Sequence, residues 1–489
     1  MSSVKVIFVE PTGARSNIFA RFMSIPLLGP VYLSTIAKQA GFDVSIINEN
    51  ILRRKITTSE LVSADILCLS CITATIDRGK KIAYTYRALR AAKGKKSRVI
   101  VGGIHASMMP KDLSESFDQI IVGEAENIIV DILKGRITDH IVYGTKLDNL
   151  DTLPLPDYSL LQGWKGKGVV PVMTSRGCPY DCNFCSVTKM FGKGYRAQSP
   201  SRVLQETARF KQGRGFVFFV DDNFAVNFDR TNEILDGMVS TGFKRPWSAQ
   251  VRTDVTHKPE FVAKMRKAGC KIVYVGFESI NTESLLDMHK KQTVDDIRRS
   301  MEVFHKNNIM VHGMFILGND PDTKELFKTT SRFCKEANID WVQYSVLTPL
   351  PGTDLYARLK DEGRLLHKQW SYYDGLHVVF SPKNMTAHEL QKGMIECFSD
   401  FYSYANAINN ALNAGYNVTA SAVRALYQKV HFPSLYPTFV KFAGNGIVKQ
   451  WVRENAPYLS YLSKSSARAL NILTNMVWGC IFPLEDKEN

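Results

Sequence analysis

Ser175-Arg-Gly-Cys-Pro-Tyr-Asp-Cys-Asn-Phe-Cys-Ser186 places Cys178, Cys182 and Cys185 on one short loop, with three and then two residues between them. Three thiolates this close, in a chain with only nine cysteines, read as a metal site. Four thiolates would close the coordination of an iron-sulfur cluster, whereas three leave one iron free to bind something else. An open position points to catalysis, by the logic that separates catalytic from structural zinc. Structural zinc, a disulfide loop and coincidence are the competing readings. Zinc wants a fourth ligand at similar spacing, and His257 and Cys270 lie far downstream. A disulfide suits neither the odd cysteine number nor a chain without a secretory signal.

The length of 489 residues predicts two or three domains, and 45% apolar residues allow sizeable cores. A formal net charge of +15 favours anionic partners without choosing among nucleic acid, acidic lipid and phosphorylated substrate. Met1–Glu10 reads as a first strand and not as a signal peptide, and no window reaches eighteen apolar residues. The expectation is a cytoplasmic protein, a reducing setting that suits an oxygen-sensitive cluster.

Upstream of the loop, residues 4 to 140 alternate strand and helix signals: Val4–Val9, a helix over Val31–Ala40, Val44–Ile47, Ile66–Ser70, a basic helix over Arg78–Ala92, Val99–Val101 and Gln119–Val122. Short apolar strands separated by helices predict α/β architecture with a doubly wound parallel sheet, whose ligands bind at the carboxyl ends of the strands. The turns there hold Pro11, Ser70, Gly102-Gly103-Ile-His105 and Gly123-Glu124. Two adjacent glycines after a strand let a backbone approach a ligand closely. Residues 147 to 168, punctuated by proline and glycine, read as a linker. Beyond it, strands Val169–Thr174, Phe216–Val220, Trp247–Val251, Ile272–Val275, Val311–Leu317 and Trp341–Val346 alternate with amphipathic helices. Six such units predict a partial (β/α)6 barrel with its site at the carboxyl ends of the strands.

Cys-x3-Cys-x-aromatic-Cys, with Phe184 as the aromatic, resembles the loop of the radical S-adenosylmethionine (SAM) family. That resemblance implies a [4Fe-4S] cluster on Cys178, Cys182 and Cys185 whose open iron chelates SAM. An electron from the cluster then cleaves SAM to a 5'-deoxyadenosyl radical. The turns after the barrel strands are also similar to the family's. Asp222 and Asn223 would accept from the SAM amino group. Gln250 and Arg252, alternate residues on one strand face, would point inward, with Arg252 on the SAM carboxylate. Gly276-Phe-Glu278-Ser279 resembles the ribose-binding segment, Gly313–Gly318 the segment packing on adenine, and Thr348–Tyr356 a further family turn.

The first part resembles the cobalamin-binding domain that precedes the barrel in one large class of this family. The matching pieces are Pro26-Leu-Leu-Gly29-Pro-Val-Tyr-Leu33, Gly41–Val44, Gly102–His105 and Gly123-Glu124. The Asp-x-His-x-x-Gly signature of other cobalamin proteins is absent, which this class tolerates. The resemblance spans roughly residues 4 to 385. The expected domains are a Rossmann-like cobalamin-binding unit over 1–145, a linker over 146–168, the barrel over 169–385 and a helical region over 386–489. Cys68 and Cys71 read as small hydrophobes, and no second cluster is expected.

Near the C-terminus, Thr386 with Glu389 makes a capping-box pattern. Between 401 and 484 the only acid is Glu454, against Arg424, Lys429, Lys441, Lys449, Arg453, Lys464 and Arg468, among aromatics that include Tyr427, Phe432, Tyr436, Phe439, Phe442, Trp451, Tyr458, Tyr461 and Trp478. Such helices either cap the barrel mouth or lie on an anionic membrane surface. Nucleic acid is disfavoured, for no recognised binding module accompanies the charge.

The resemblance implies an enzyme that abstracts hydrogen from an unactivated carbon and methylates it from methylcobalamin, with a second SAM remethylating the cofactor. Its substrate would be a small molecule, apolar or lipid-like, and its electron donor flavodoxin or ferredoxin. Cyclisation or rearrangement over a merely structural first domain is the alternative. An inert scaffold or binding protein is a third reading, against which the intact cysteine loop argues. No catalytic side chain beyond cofactor binding is assigned.

Overall fold

The computed structural model describes residues 3–13, 25–166, 168–211, 213, 215–409 and 436–481, with the side chains of the last helix described over 440–465. Six parallel strands form the first sheet: β1 (Lys5–Glu10), β2 (Asp43–Asn48), β3 (Ile66–Ser70), β4 (Val99–Gly102), β5 (Gln119–Val122) and β6 (Ile141–Tyr143). Their order is β2-β1-β3-β4-β5-β6. Successive residues of these strands enter different cores, as pleating requires. Val6 and Phe8 join Val31 and Tyr32 of the helix Leu28–Gln39, while Ile7 and Val9 join Ile82 and Tyr86 of the helix Ile76–Ala91. Helices on both faces make the sheet doubly wound, with its topological switch point between β1 and β3.

The second sheet consists of β7 (Val169–Val172), β10 (Phe216–Phe219), β11 (Trp247–Val251), β12 (Cys270–Glu278), β13 (Met310–Leu317) and β14 (Trp341–Val346). All pair in parallel, in the order β14-β13-β12-β11-β10-β7. This is the six-stranded open barrel that the strand pattern predicts. Its outward residues, such as Phe219, Trp247, Phe315 and Tyr344, are buried under the helices. Its inward residues are only partly covered, and Phe218, Tyr274 and His312 form a ring row across the concave face, with centroids 5.3 and 5.0 Å apart. The segment over 146–166 is anchored by its apolar residues: Leu150, Leu153, Tyr158 and Leu161 are buried, and Tyr158 donates to the Pro171 carbonyl at 2.5 Å.

A hairpin absent from the strand pattern follows β7. It pairs β8 (Ser175–Arg176) with β9 (Arg196–Ala197) antiparallel, and the cysteine loop spans it. Gly177 takes φ +85°, and a Cβ there would collide with the Gly194 carbonyl, so the loop's first step requires glycine.

At the C-terminal end, Thr386 and Glu389 form the expected capping box on the helix Ala387–Phe401. The helix Tyr436–Ile481 lies against it. Trp451 and Tyr458 are buried, and Lys441 stands 4.7 Å over the Phe401 ring, so these three face the barrel side. Phe442, Lys449, Arg453, Tyr461 and Lys464 are exposed. Arg424, Tyr427, Lys429 and Phe432 lie outside the described residues, as do the side chains of Tyr436, Phe439, Arg468 and Trp478. No helix among the described residues is long and apolar enough to cross a membrane.

Candidate functional site

The cysteine loop is fastened around the barrel rim. Tyr180 donates to Asp254 at 2.7 Å, Asn183 donates to the Asp287 carbonyl at 2.6 Å, and the Asn183 carbonyl accepts from Leu355 N at 3.4 Å. Thus segments after β11, β12 and β14 all position it. Burial raises the three thiols, Cys185 to about 11, while the Lys290 and Arg252 charges pull Cys182 back down. Bound iron would outweigh burial, because a metal is the largest local charge in such a site. Among the described residues no three ligating side chains converge as they would on a single ion. A cubane instead takes each thiolate on a different iron.

Arg252 meets the cysteine loop from β11's end. Its guanidinium carbon lies 3.8 Å from the Tyr180 ring centroid, its Nε makes no hydrogen bond and only a long 3.9 Å approach to Asp254, and the side chain is 10% exposed. A buried cation with an unused donor beside the loop fits an acceptor such as a carboxylate. Glu278 has φ +60°, unusual for a residue with a side chain, at the point where the β12–β13 register shifts. Its carboxylate accepts from Lys290 at 2.8 Å, both groups being buried. Ser279 accepts from Asn281 N. Gln250 reaches the Asp221 carbonyl at 3.4 Å.

The neighbouring acids divide their work. Asp221, fully enclosed, accepts from Thr174 N, Thr174 Oγ1 and Ser175 N at 2.6 to 2.7 Å and so fixes the end of β7. Asn223 is buried with its carbonyl on Ala225 N at 3.3 Å, which ties it to the turn. Asp222 opens onto a cavity whose walls, with Asp221 behind, push its carboxyl up to about 6.

That cavity, of about 280 Å³, lies where the carboxyl ends of the two sheets meet. Gly29, Ser70, Gly102, Gly103, Gly123 and Glu124 line it from the first domain, and Met173, Ser175, Arg176 and Asp222 from the second. Phe8, Leu28, Leu33, Cys68, Ile100 and Ile121 give it an apolar floor. Among the described residues a Cβ at Gly29 would meet nothing within 4 Å, so the glycine leaves its stretch of the cavity wall without a side chain. Glu124 is on the wall, but its charge is consumed by Arg176 and Arg196.

Two residues of the sequence reading stand apart from the cavity. Pro11 is buried at the end of β1, away from the lining. His105 is fully buried in the short helix after Gly103, with Nδ1 3.3 Å from Thr73 Oγ1 and its ring edge-on to Trp370 at 5.1 Å. Burial lowers its pKa to about 4, so it is a neutral core histidine and not part of the wall. Arg176, Tyr180, Arg196 and Lys290, which also meet at the site, carry no motif signal of their own. The pattern of a loop says nothing about which side chains from distant strands meet it.

Two family models identify the parts directly. The Radical SAM superfamily model matches residues 172–364, and the B12 binding domain model matches residues 22–133. A third, a domain of unknown function (DUF4070), matches residues 353–479. The chain belongs to the radical SAM enzymes that carry an N-terminal cobalamin-binding domain.

Within that class it is similar to bacteriochlorophyllide d C-12(1)-methyltransferase of Chlorobaculum tepidum, 27% identical over 82% of this chain and 88% of that one. The anaerobic magnesium-protoporphyrin IX monomethyl ester cyclase of Cereibacter sphaeroides is 26% identical over 82% and 70% of the respective chains. Hopanoid C-2 methylase of Rhodopseudomonas palustris is 31% identical over 55% and 53%. In fold it matches the radical SAM methyltransferase TsrM of Kitasatospora setae, solved with cobalamin and a [4Fe-4S] cluster, at a TM-score of 0.60 and 17% identity over 74% and 78%. The cofactors of the class are the [4Fe-4S] cluster, SAM and cobalamin.

Proposed function

We propose that this enzyme methylates an unactivated carbon of an apolar, polycyclic substrate, either an isoprenoid or a tetrapyrrole. The observation that carries the reading is the shared cavity: one wall comes from the cobalamin-binding domain, the other from β7, β8 and the turn after β10, next to the cysteine loop. When bound, the three cofactors supply radical generation and the methyl group. Cys178, Cys182 and Cys185 would hold the cluster. Arg252 would grip the SAM carboxylate, Asp222 would accept from its amino group, and Glu278, held in place by Lys290, would accept from the ribose. Gly29, Ser70, Gly102, Gly103 and Gly123 would border the corrinoid ring. The apolar floor keeps water from the reacting centres, which such chemistry needs.

The substrate class draws support from the partly covered row of Phe218 and Tyr274 with Met314 and Ile316 on the concave face. It also fits the tetrapyrrole and hopanoid substrates in the names of the relatives. An electron donor of the flavodoxin or ferredoxin type would dock near the loop. Cyclisation remains a second reading because the cyclase matches 82% of the chain.

The test is anaerobic turnover with SAM carrying a deuterated methyl group, against hopanoid and tetrapyrrole candidates. Deuterated methyl in the product supports methylation. A product changed in mass without the label establishes the cyclase or rearrangement reading. The absence of cluster, corrinoid and 5'-deoxyadenosine together removes the proposal.

A further inference from the structure

The β8–β9 hairpin sets Arg176 directly opposite Arg196. Like charges in that position repel, and both side chains are largely withdrawn from water, at 8% and 14% exposure. The group that relieves the repulsion comes from the other domain. Glu124, in the turn after β5, accepts from Arg176 Nη1 at 3.0 Å and from Arg196 Nη1 at 3.0 Å on one oxygen, and from Arg196 Nη2 on the other. Leu147 N also donates to Glu124, at 3.0 Å, and Glu126 takes Arg176 Nη2 at 2.6 Å. Burial alone would raise the Glu124 carboxyl, but Arg196, Leu147 N–H and the Arg176 charge hold it below its ordinary value. Arg196 is anchored further on the Leu147 carbonyl at 2.6 Å.

Arg176 stands two residues before Cys178, joined to it through the left-handed Gly177. A hairpin that splays at Arg176 therefore carries the first cysteine with it. We propose that Glu124 is a positioning residue for the three-cysteine loop: the cobalamin-binding domain supplies the carboxylate that closes the hairpin, so the cluster site is complete only when the two domains are docked. The inference rests on the reading of Cys178, Cys182 and Cys185 as cluster ligands. It also gives the Gly123-Glu124 turn a role that the cavity wall alone does not need.

The experiment compares the full-length wild type with Glu124→Gln and with Glu124→Gln/Arg196→Gln, each reconstituted anaerobically. Iron and sulfide content, the electron paramagnetic resonance (EPR) spectrum of the reduced cluster and the melting temperature are read for each. Glu124→Gln leaves Arg196 without its carboxylate opposite an Arg176 held only by Glu126, and is expected to lose most of its iron and to give a heterogeneous spectrum at temperatures far below melting. The double variant removes one of the opposed charges and should regain iron and the wild-type spectrum. A merely structural carboxylate would lower the melting temperature of both variants without this recovery. Wild-type iron and spectrum in Glu124→Gln overturn the proposal, and so does equal loss in the single and double variants. A Cys178, Cys182 and Cys185 to Ala variant that keeps its cluster would instead overturn the ligand reading, which separates the two failures.

Discussion

Replacing Arg252 by Lys tests the SAM site at a buried cation whose Nε makes no hydrogen bond. The side chain is 10% exposed, its Nε makes no hydrogen bond and stands 3.9 Å from the Asp254 carboxylate, and its Nη2 reaches the Lys291 carbonyl only at 3.5 Å. Its firmest neighbour is the Tyr180 ring at 3.8 Å. Lys keeps the charge but not the planar fork, so one charge-assisted hydrogen bond to the carboxylate is lost, at about 1.5–3 kcal/mol. Weaker stacking on Tyr180 adds about 0.5 kcal/mol, and the retained Coulomb attraction offsets part of the sum. A net loss of about 2 kcal/mol corresponds to roughly 30-fold weaker SAM binding. The assay is anaerobic equilibrium dialysis of SAM against wild-type and Arg252→Lys protein matched in iron content. A dissociation constant within about twofold of wild type, with the cluster intact, would refute the reasoning and leave Arg252 as the support of Tyr180.

Changing Cys178, Cys182 and Cys185 together to Ala should abolish iron and sulfide while circular dichroism stays native, because the loop sits on the rim and outside the buried core; wild-type iron in that variant would end the assignment. Burial lowers His105 and His312 from 6.5 to about 4. The unfolded chain therefore binds those protons first, and the contribution of these two histidines to stability should be full above about 6.5 and fall as pH drops toward 4, against the opposite trend from Glu10 and Glu206, whose carboxyls burial raises to about 8 and about 7. Melting temperatures between pH 7 and 5 should decline less steeply for His312→Gln, and an equal slope would assign the decline to other groups. Exposed Lys449, Arg453 and Lys464 each offer roughly 1 kcal/mol of attraction to anionic lipid, so co-sedimentation with anionic vesicles should exceed that with neutral ones and weaken with salt. Equal, negligible binding to both would leave the C-terminal helices as a cap alone.

Local sequence determined the elements. Apolar runs of four to eight residues between amphipathic helices are intrinsically strand–helix units, and their order limits the topology to parallel sheets. The cysteine spacing determined the chemistry, because a short loop delivers three thiolates wherever it lies. Glycines at the carboxyl ends of β4 and β5 were legible as close-approach points for the same reason: a missing side chain acts locally.

What the tertiary structure decided is which groups meet. His105 follows a Gly-Gly turn that lines the cavity, yet the helix it begins turns its ring into a core against Thr73 and Trp370. Asp221 and Asp222 are adjacent in sequence, and the strand end makes one a buried fastener of β7 and the other a wall of the cavity. Arg176 and Arg196 are twenty residues apart in sequence, and a two-residue pairing, too short for any periodic signal, sets them face to face. Only the docking of the first domain then brings Glu124, 52 residues before Arg176 and 72 before Arg196, between them. Side-chain charge is written in the sequence, but its partner is fixed by long-range packing, and in this protein the partner decides whether a charge holds the scaffold or faces a ligand.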